Sequence, residues 1–86
     1  MNVRLVFHPE VRDEIDKSYR WHEQQCTGLG NDFLVAIEEM FDCLRQMPQI
    51  HQMIYRDVRR ALPRRFPYGV YYRLRADRVE CNCRPT

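Results

Sequence analysis

The sequence lacks a long apolar run, and it lacks the paired CxxC motifs of a zinc knuckle. Arg4 interrupts the only apolar segment near the start, so neither a secretory signal nor a membrane span is expected, and we expect a cytoplasmic protein. In that compartment thiols stay reduced, and no metal or other cofactor is expected. Cys26 and Cys43 fall at expected helical core positions, whereas Cys81 and Cys83 share one face of an expected strand.

Lysine is also missing where positive charge is densest. Between Arg56 and Arg78 there are eight arginines and no lysine, interleaved with aromatic residues. A guanidinium group stays charged at any physiological pH and offers a planar fork of donors, so this segment is suited to hold an anionic partner.

The chain of 86 residues is predicted to form one domain, residues 1–86, with a thin core. Its net charge of +2 hides a division between two parts. Residues 1–50 carry five basic and nine acidic side chains, a net charge of −4, and residues 51–86 carry nine and three, a net charge of +6. The second part is therefore expected to meet phosphate or carboxylate groups.

The first half of the sequence predicts a strand and two helices. Alternation over residues 2–7 predicts a half-buried strand, and Pro9 followed by acidic residues predicts a helix over 9–25. Thr27, Gly28 and Gly30 break the pattern, which predicts a helix hairpin. A second apolar stripe then includes Phe33, Ile37, Met40, Phe41, Leu44 and Met47, and Pro48 ends that helix.

The second half predicts about three antiparallel strands. Residues 57–66 form an extended, arginine-rich segment with an edge or break at Pro63. Residues 68–75 alternate apolar and polar side chains, and a turn at 76–77 leads into a strand over 78–83. The prediction is an α+β fold in which the helices cover one face of the sheet and the other face is cationic.

Two segments carry a resemblance to a known family. They are GLGNDF at residues 28–33 and, above all, VRRALPRRFPYGVYYR at residues 58–73, in which Phe66, Pro67, Tyr68 and Tyr72 are signature residues. The chain resembles the ParE branch of the RelE/ParE toxin superfamily over nearly all of residues 3–80. The family includes plasmid stabilisation systems.

The resemblance implies a toxin of a type II toxin-antitoxin pair, neutralised by a cognate antitoxin. The ParE branch is associated with inhibition of DNA gyrase, whereas RelE cuts mRNA on the ribosome. The antitoxin is expected to be acidic and partly disordered when free, and higher-order toxin-antitoxin assemblies are expected. Direct binding to nucleic acid is not expected, because the charge of +6 is spread over 36 residues.

The residues favour binding over cleavage. Cutting RNA needs a general base, a donor for the leaving oxygen and cations for the phosphorane. The expected basic sheet has no lysine or histidine, and neither Glu80 nor a tyrosine has a sequence neighbour that would tune its pKa. Catalytic residues are therefore not assigned, although a ribosome-dependent endonuclease stays an alternative. A third alternative is an antitoxin-binding module that has lost toxicity, because residues 81–86 depart from the family's His-x-Arg-Arg-x-Pro tail.

The candidate residues for binding gyrase or the antitoxin are arginines and one tyrosine: Arg59, Arg60, Arg64, Arg65, Arg73, Arg75 and Tyr71. Edge protection, cross-strand pairing with Glu80 or simple exposure would also explain these arginines. Phe66, Tyr68 and Tyr72 are expected in the core. His22 is expected at the core edge, and Trp21 either covers the helix hairpin or marks a protein-protein surface.

Overall fold

A computed structural model describes residues 3–85 of the chain. In this part the elements are β1 (Arg4–Phe7), α1 (Val11–Gln25), α2 (Leu29–Gln46), β2 (Met53–Tyr55), β3 (Val58–Ala61), β4 (Tyr68–Leu74) and β5 (Arg78–Pro85). The strands form one sheet in the order β1-β5-β4-β3-β2. The predicted α+β fold, with an N-terminal strand, a helix hairpin and a following sheet, is confirmed. Asn2, which the sequence placed in the first strand, lies outside the described residues.

The sheet is mixed rather than antiparallel throughout. β3, β4 and β5 pair antiparallel as predicted, but β1 runs parallel to β5, with Leu5 opposite Val79. β2 was not predicted, because its three residues are all exposed and therefore do not alternate. The pairing of β1 with β5 brings the first and last strands together at one edge of the sheet.

The helix hairpin closes through its glycines and one carboxylate. Gly28 has φ of 90°, a left-handed conformation that favours glycine, and precedes α2 directly. A Cβ at Gly30 would lie 2.8 Å from Cε2 of Tyr19, so glycine lets α1 and α2 approach closely. The carboxylate of Glu23 accepts hydrogen bonds from the backbone N–H groups of Gly28 and Gly30, at 3.0 Å each. The turn of the hairpin is thus stabilised by a side chain of α1 that bonds the backbone at the start of α2.

The core lies between the helices and one face of the sheet. α2 supplies most of the helical part, with Phe33, Ile37, Phe41 and Leu44 buried. The sheet supplies Ala61, Val70, Tyr72, Val79, Cys81 and Cys83. Two expected core residues lie outside it. Cys26 is exposed because α1 ends at Gln25, and Met47 is exposed because α2 ends at Gln46.

The segment 57–66 is not one extended strand. β3 ends at Ala61, and residues 62–67 form a loop, called here the arginine loop, that leads to β4. Pro63 is buried in this loop, and Arg65 adopts φ of 73°. Because proline cannot donate to a ladder and Arg65 turns the chain, pairing with β4 stops before this point. The sequence predicted Arg64 and Arg65 on the sheet, and the structure places them in this loop instead.

Candidate functional site

The face of the sheet turned away from the helices, called here the open face, holds several of the candidate residues. Tyr71 on β4 lies opposite Arg60 on β3 and opposite Asn82 on β5. Arg73, two residues along β4, shares this face. A shallow groove of about 440 Å³ runs across the face. Its side walls include Val6, Val58, Tyr71, Arg73, Glu80 and Asn82.

The ring of Tyr71 packs against the backbone of a glycine in the groove. A Cβ built at Gly69 would lie 2.8 Å from Cε2 and 3.0 Å from Oη of Tyr71, so the ring rests against the bare backbone of Gly69. No larger residue leaves room for that position. The open face thus presents an aromatic ring, packed on Gly69, beside Arg60 and Arg73, an arrangement that can stack on a planar group or cover an apolar side chain of a partner.

The arginines at the end of β4 are already paired. Arg73 Nε lies 3.4 Å from Asp57 Oδ1, and Arg75 Nη1 lies 3.3 Å from Asp57 Oδ2. Arg75 Nε also donates to Glu80 at 3.2 Å, and Arg78 donates to the same carboxylate at 3.0 Å. Cross-strand pairing, the alternative that the sequence left open for Arg73 and Arg75, is therefore present. It coexists with an exposed position on the open face.

The hydrogen bonds from Arg75, and then those from Arg78, hold the pKa of Glu80 below its usual range. A carboxylate with a lowered pKa is a weak proton acceptor. Glu80 is therefore poorly suited to be the general base of a cleavage reaction.

His8 is a groove residue that sequence reasoning missed. Its backbone N–H donates to the carbonyl of Cys81 at 2.9 Å, and it lines the groove on the open face. Its Nδ1 accepts a hydrogen bond from the backbone N–H of Glu10 at 3.2 Å. No histidine was expected near the basic sheet, but the parallel pairing of β1 with β5 brings His8, which directly follows β1, to the groove. Only that long-range pairing could have revealed it.

Arg59 faces the other side of the sheet. It lies opposite Tyr72, a core residue, and its guanidinium donates to the backbone carbonyls of Gln49 at 3.2 Å and His51 at 2.7 Å. The side chain is half-buried. Arg59 holds the segment between α2 and β2 in place, so it is separated from the open face on which Arg60 lies.

Arg64 and Arg65 are exposed in the arginine loop, beside α2. Arg65 Nη2 lies 3.7 Å from Asp32 Oδ2, and its guanidinium lies 5.4 Å from the ring centroid of Phe66. A cleft of about 220 Å³ separates the loop from α2 and is lined in part by Val35. The structure thus places the seven candidate residues in three locations instead of one.

Trp21 lies on the surface of α1 and is 57% exposed. Its ring contacts His22 edge to face at 5.1 Å, and His22 stacks on Phe33 at 4.9 Å. His22 is buried, and its Nδ1 donates to the carbonyl of Ser18 at 2.6 Å, as expected for a core histidine. Of the two interpretations of Trp21, the exposure favours a surface residue over a cover for the hairpin.

The signature residues Phe66, Tyr68 and Tyr72 are buried in the core, and Pro67 lies exposed between the arginine loop and β4. The Tyr72 hydroxyl donates to the carbonyl of Pro48 at 2.7 Å, and burial raises the pKa of Tyr72 to about 12. Burial also raises the pKa of Tyr68. Neither tyrosine is able to ionise at neutral pH, so neither supplies a base.

Two further observations concern the described residues 3–85. No group of three or more histidine, cysteine, aspartate or glutamate side chains comes together there as a metal site. Neither α1 nor α2 is both long and apolar enough to cross a bilayer.

Comparison with known proteins finds a similarity in fold to solved structures. No family model and no curated protein matches the chain. Among solved structures, it is similar to a chain described as "Chromosomal ParDE TA system from P. aeruginosa". The TM-score is 0.67 at 13% sequence identity, over 93% of this chain and 90% of that chain. The chain therefore shares the fold of that ParDE chain.

Proposed function

We propose that the chain is a ParE-like toxin of a type II toxin-antitoxin system. In this proposal a single domain acts in the cytoplasm by binding DNA gyrase, and an acidic antitoxin neutralises it. The likeness in fold to a ParDE chain supports the proposal, and so does the segment 58–73, which carries the family pattern. That segment forms β3, the arginine loop and most of β4, so it builds both the sheet core and the open face.

The observation that carries the proposal is the composition of the open face. Tyr71 is fixed against Gly69 beside Arg60 and Arg73, while Glu80 is engaged by Arg75 and Arg78. Such a surface offers an aromatic ring and guanidinium donors, which are frequent anchors of protein interfaces. Its carboxylate, Glu80, has a lowered pKa and is a weak proton acceptor, so binding fits this surface better than catalysis.

Gyrase supercoiling in the presence of the purified chain tests the proposal. We expect inhibition with accumulation of the cleavage complex, and we expect Arg60→Glu to weaken inhibition about tenfold by reversing charge on the open face. Arg20→Glu, an exposed substitution on α1, is the matched control and is expected to have no effect. Unchanged supercoiling at saturating chain would refute the gyrase part of the proposal.

A neighbouring reading frame tests the antitoxin part. We expect a short acidic protein encoded beside this chain, and we expect it to co-purify with the chain and relieve its toxicity. Induction of the chain alone is expected to arrest growth. Harmless induction would favour the third alternative, an antitoxin-binding module without toxicity.

His8 favours a second candidate function, a ribosome-dependent mRNA endonuclease. It adds an imidazole to the groove that contains Tyr71 and Arg73. This candidate predicts codon-dependent cuts on programmed ribosomes, with loss of cutting in His8→Gln and in Arg73→Ala through the loss of proton transfer and of transition-state charge stabilisation. Intact message in this assay would eliminate the endonuclease.

A further inference from the structure

One end of the sheet carries an apolar surface built by an uncharged segment. Residues 46–55, which lead from the end of α2 through β2, contain no acidic residue, lysine or arginine, and this is the longest such stretch in the sequence. Five large apolar residues in this segment are between 43% and 63% exposed. Together they are called here the neutral patch: Met47, Ile50, Met53, Ile54 and Tyr55.

The neutral patch is one surface, because its segment folds around a single side chain. The guanidinium of Arg59 donates to two backbone carbonyls of the segment, and Arg59 lies opposite Met53 in the pairing of β3 with β2. The N–H of Ile50 donates to the carbonyl of Met47 at 3.4 Å, so the chain turns between these two side chains. The patch therefore follows the edge of the sheet at which β2 is the outermost strand.

The neutral patch is large enough for an interface between two proteins. Five large side chains at these exposures present roughly 500 Å² of apolar surface, a size that marks interaction sites on soluble proteins. Two such patches packed together would remove about 1,000 Å² from water, which is near the lower limit for a specific interface. Packing against a partner of equal size is therefore sufficient to form a weak complex.

The absence of charge decides which partner the patch fits. A charged surface would find no opposite charge in residues 46–55, and its own charged groups would lose hydration on contact. A second copy brings an equally neutral surface across a two-fold axis. Arg56, the first charge after the patch, is exposed, with its guanidinium 5.3 Å from the ring centroid of Tyr55. That charge lies at the rim, where water still solvates it.

We propose that the neutral patch is the interface of a homodimer, in which a second copy of the chain packs its own patch against the first. The interface is isologous, since the same residues of both copies meet across the axis. It consists of side-chain packing and needs no pairing between the two copies of β2, which has only three residues and a shifted register with β3. The dimer does not depend on the proposed function.

Sedimentation velocity of the purified chain between about 1 μM and 1 mM tests the proposal. We expect the average mass to rise from that of one chain toward that of two, with a dissociation constant of about 10–100 μM. Because the contact is apolar, raising NaCl from about 0.1 M to 1 M is not expected to weaken it. A monomer over the whole concentration range, or a dimer that salt dissociates, would overturn the proposal.

A matched pair of substitutions tests the location of the interface. Ile50→Glu places a charge in the apolar contact and is expected to raise the dissociation constant about tenfold or more. Val35→Glu is the control, because Val35 lies on α2 outside the patch and is 57% exposed, as Ile50 is 56% exposed. Circular dichroism compares the folding of both variants. Equal weakening in the two variants, or unchanged dimerisation of Ile50→Glu, would place the interface elsewhere.

Opposite charges separate a lost contact from a damaged fold. Ile50→Glu and Ile50→Lys are each expected to be monomeric, and an equal mixture is expected to form a heterodimer, because the two charges attract within one small interface. A mixture that stays monomeric would contradict the isologous arrangement. Amide NMR of the unmodified chain gives an independent measurement. We expect the signals of residues 46–56 to shift with concentration, and shifts confined to other residues would overturn the proposal.

The readouts separate this interface from the proposed function. A chain that dimerises but leaves gyrase unaffected would contradict the gyrase proposal alone. A monomeric chain that inhibits gyrase would contradict the dimer alone. A monomer whose signals at residues 46–56 shift when gyrase is added would assign the neutral patch to gyrase and overturn the dimer as well.

Discussion

Arg59 and Arg60 are neighbours in sequence with separate roles. Adjacent residues of a strand point to opposite faces, so one of any two consecutive arginines must face the core side. Arg59 uses that position to bond two carbonyls, and Arg60 lies exposed beside Tyr71. The sequence showed that the pair would divide between faces, but the assignment of each arginine depends on which residue of β3 lies opposite Tyr72.

Arg59→Ala is expected to lower the free energy of unfolding by about 1–3 kcal/mol, because it leaves the carbonyls of Gln49 and His51 without their donor. Arg60→Ala is expected to change that free energy by less than about 0.5 kcal/mol. Urea unfolding followed by circular dichroism measures both values. Similar losses in the two variants would contradict the division of roles.

Gly69→Ala tests the seat of Tyr71. The added methyl would lie 2.8 Å from the ring, so the ring must leave its position against the backbone, while φ of residue 69 is not in the left-handed region and tolerates alanine. We expect a chain that stays folded and inhibits gyrase as weakly as Tyr71→Ala does. A Gly69→Ala chain with full inhibition would show that the position of the ring is unimportant.

At the scale of elements, the helix hairpin depends on Glu23. Its carboxylate accepts from two backbone N–H groups at the start of α2, where helical donors have no partner within the helix. Glu23→Ala is expected to cost about 2 kcal/mol of unfolding free energy. The control is Glu38→Ala, an exposed change on α2 that is expected to be near neutral. Thermal unfolding monitored through Trp21 fluorescence distinguishes them.

The segment between α2 and β2 is expected to respond to pH through His51. Burial lowers the pKa of His51, and the nearby Arg59 guanidinium lowers it further. Its Nε2 is buried with no hydrogen-bond partner among the described residues. As pH falls below the usual value of 6.5, the unfolded chain takes up a proton at His51 before the folded chain does, so stability decreases.

His51→Gln is therefore expected to reduce the loss of unfolding free energy between about pH 7 and pH 5. Urea titrations of both chains at the two pH values measure the difference, because the two chains differ only at residue 51. Equal losses would exclude His51 as a source of the pH dependence.

Elements with local signals were predictable, and those that depend on distant pairing were not. The stripes of α1 and α2 and the alternation in β4 and β5 follow from side-chain spacing alone. β2 has no alternation because all three of its residues are exposed, and the parallel place of β1 depends on contact with β5, some 70 residues later. The sequence predicts the edge or break at Pro63, close to where β3 ends at Ala61, but it gives no sign of the left-handed φ at Arg65, which arginine rarely adopts.

At the scale of the whole molecule, the positive charge of residues 51–86 is less available than a count suggests. Asp57 and Glu80 together engage Arg73, Arg75 and Arg78, while Arg59 is turned to the core side and Arg65 lies near Asp32. The sequence predicts arginines and one tyrosine as the candidate binding residues. It could not separate paired from unpaired guanidinium groups, because pairing depends on strand register.

The ion pairs of Asp57 and Glu80 with these arginines predict how stability depends on salt concentration. These pairs are exposed, and exposed pairs contribute little and are screened by added ions. Between about 0.1 M and 1 M NaCl, the unfolding free energy is expected to change by less than about 1 kcal/mol, whereas binding to an acidic partner is expected to weaken markedly. A large loss of stability over this range, measured by urea unfolding, would assign the network a structural role.

The cysteines give this molecule a built-in order of chemical reactivity. Cys81 and Cys83 lie buried on β5, where burial raises the pKa of each thiol to about 12, while Cys26 is exposed just after α1. Alkylating reagents attack the thiolate, so a maleimide dye will attach first at Cys26 and will reach the strand thiols only when the sheet separates from the helices. Cys26 is therefore a site for attaching a label at the hairpin, and the rate of labelling at Cys81 and Cys83 measures how fast the core opens.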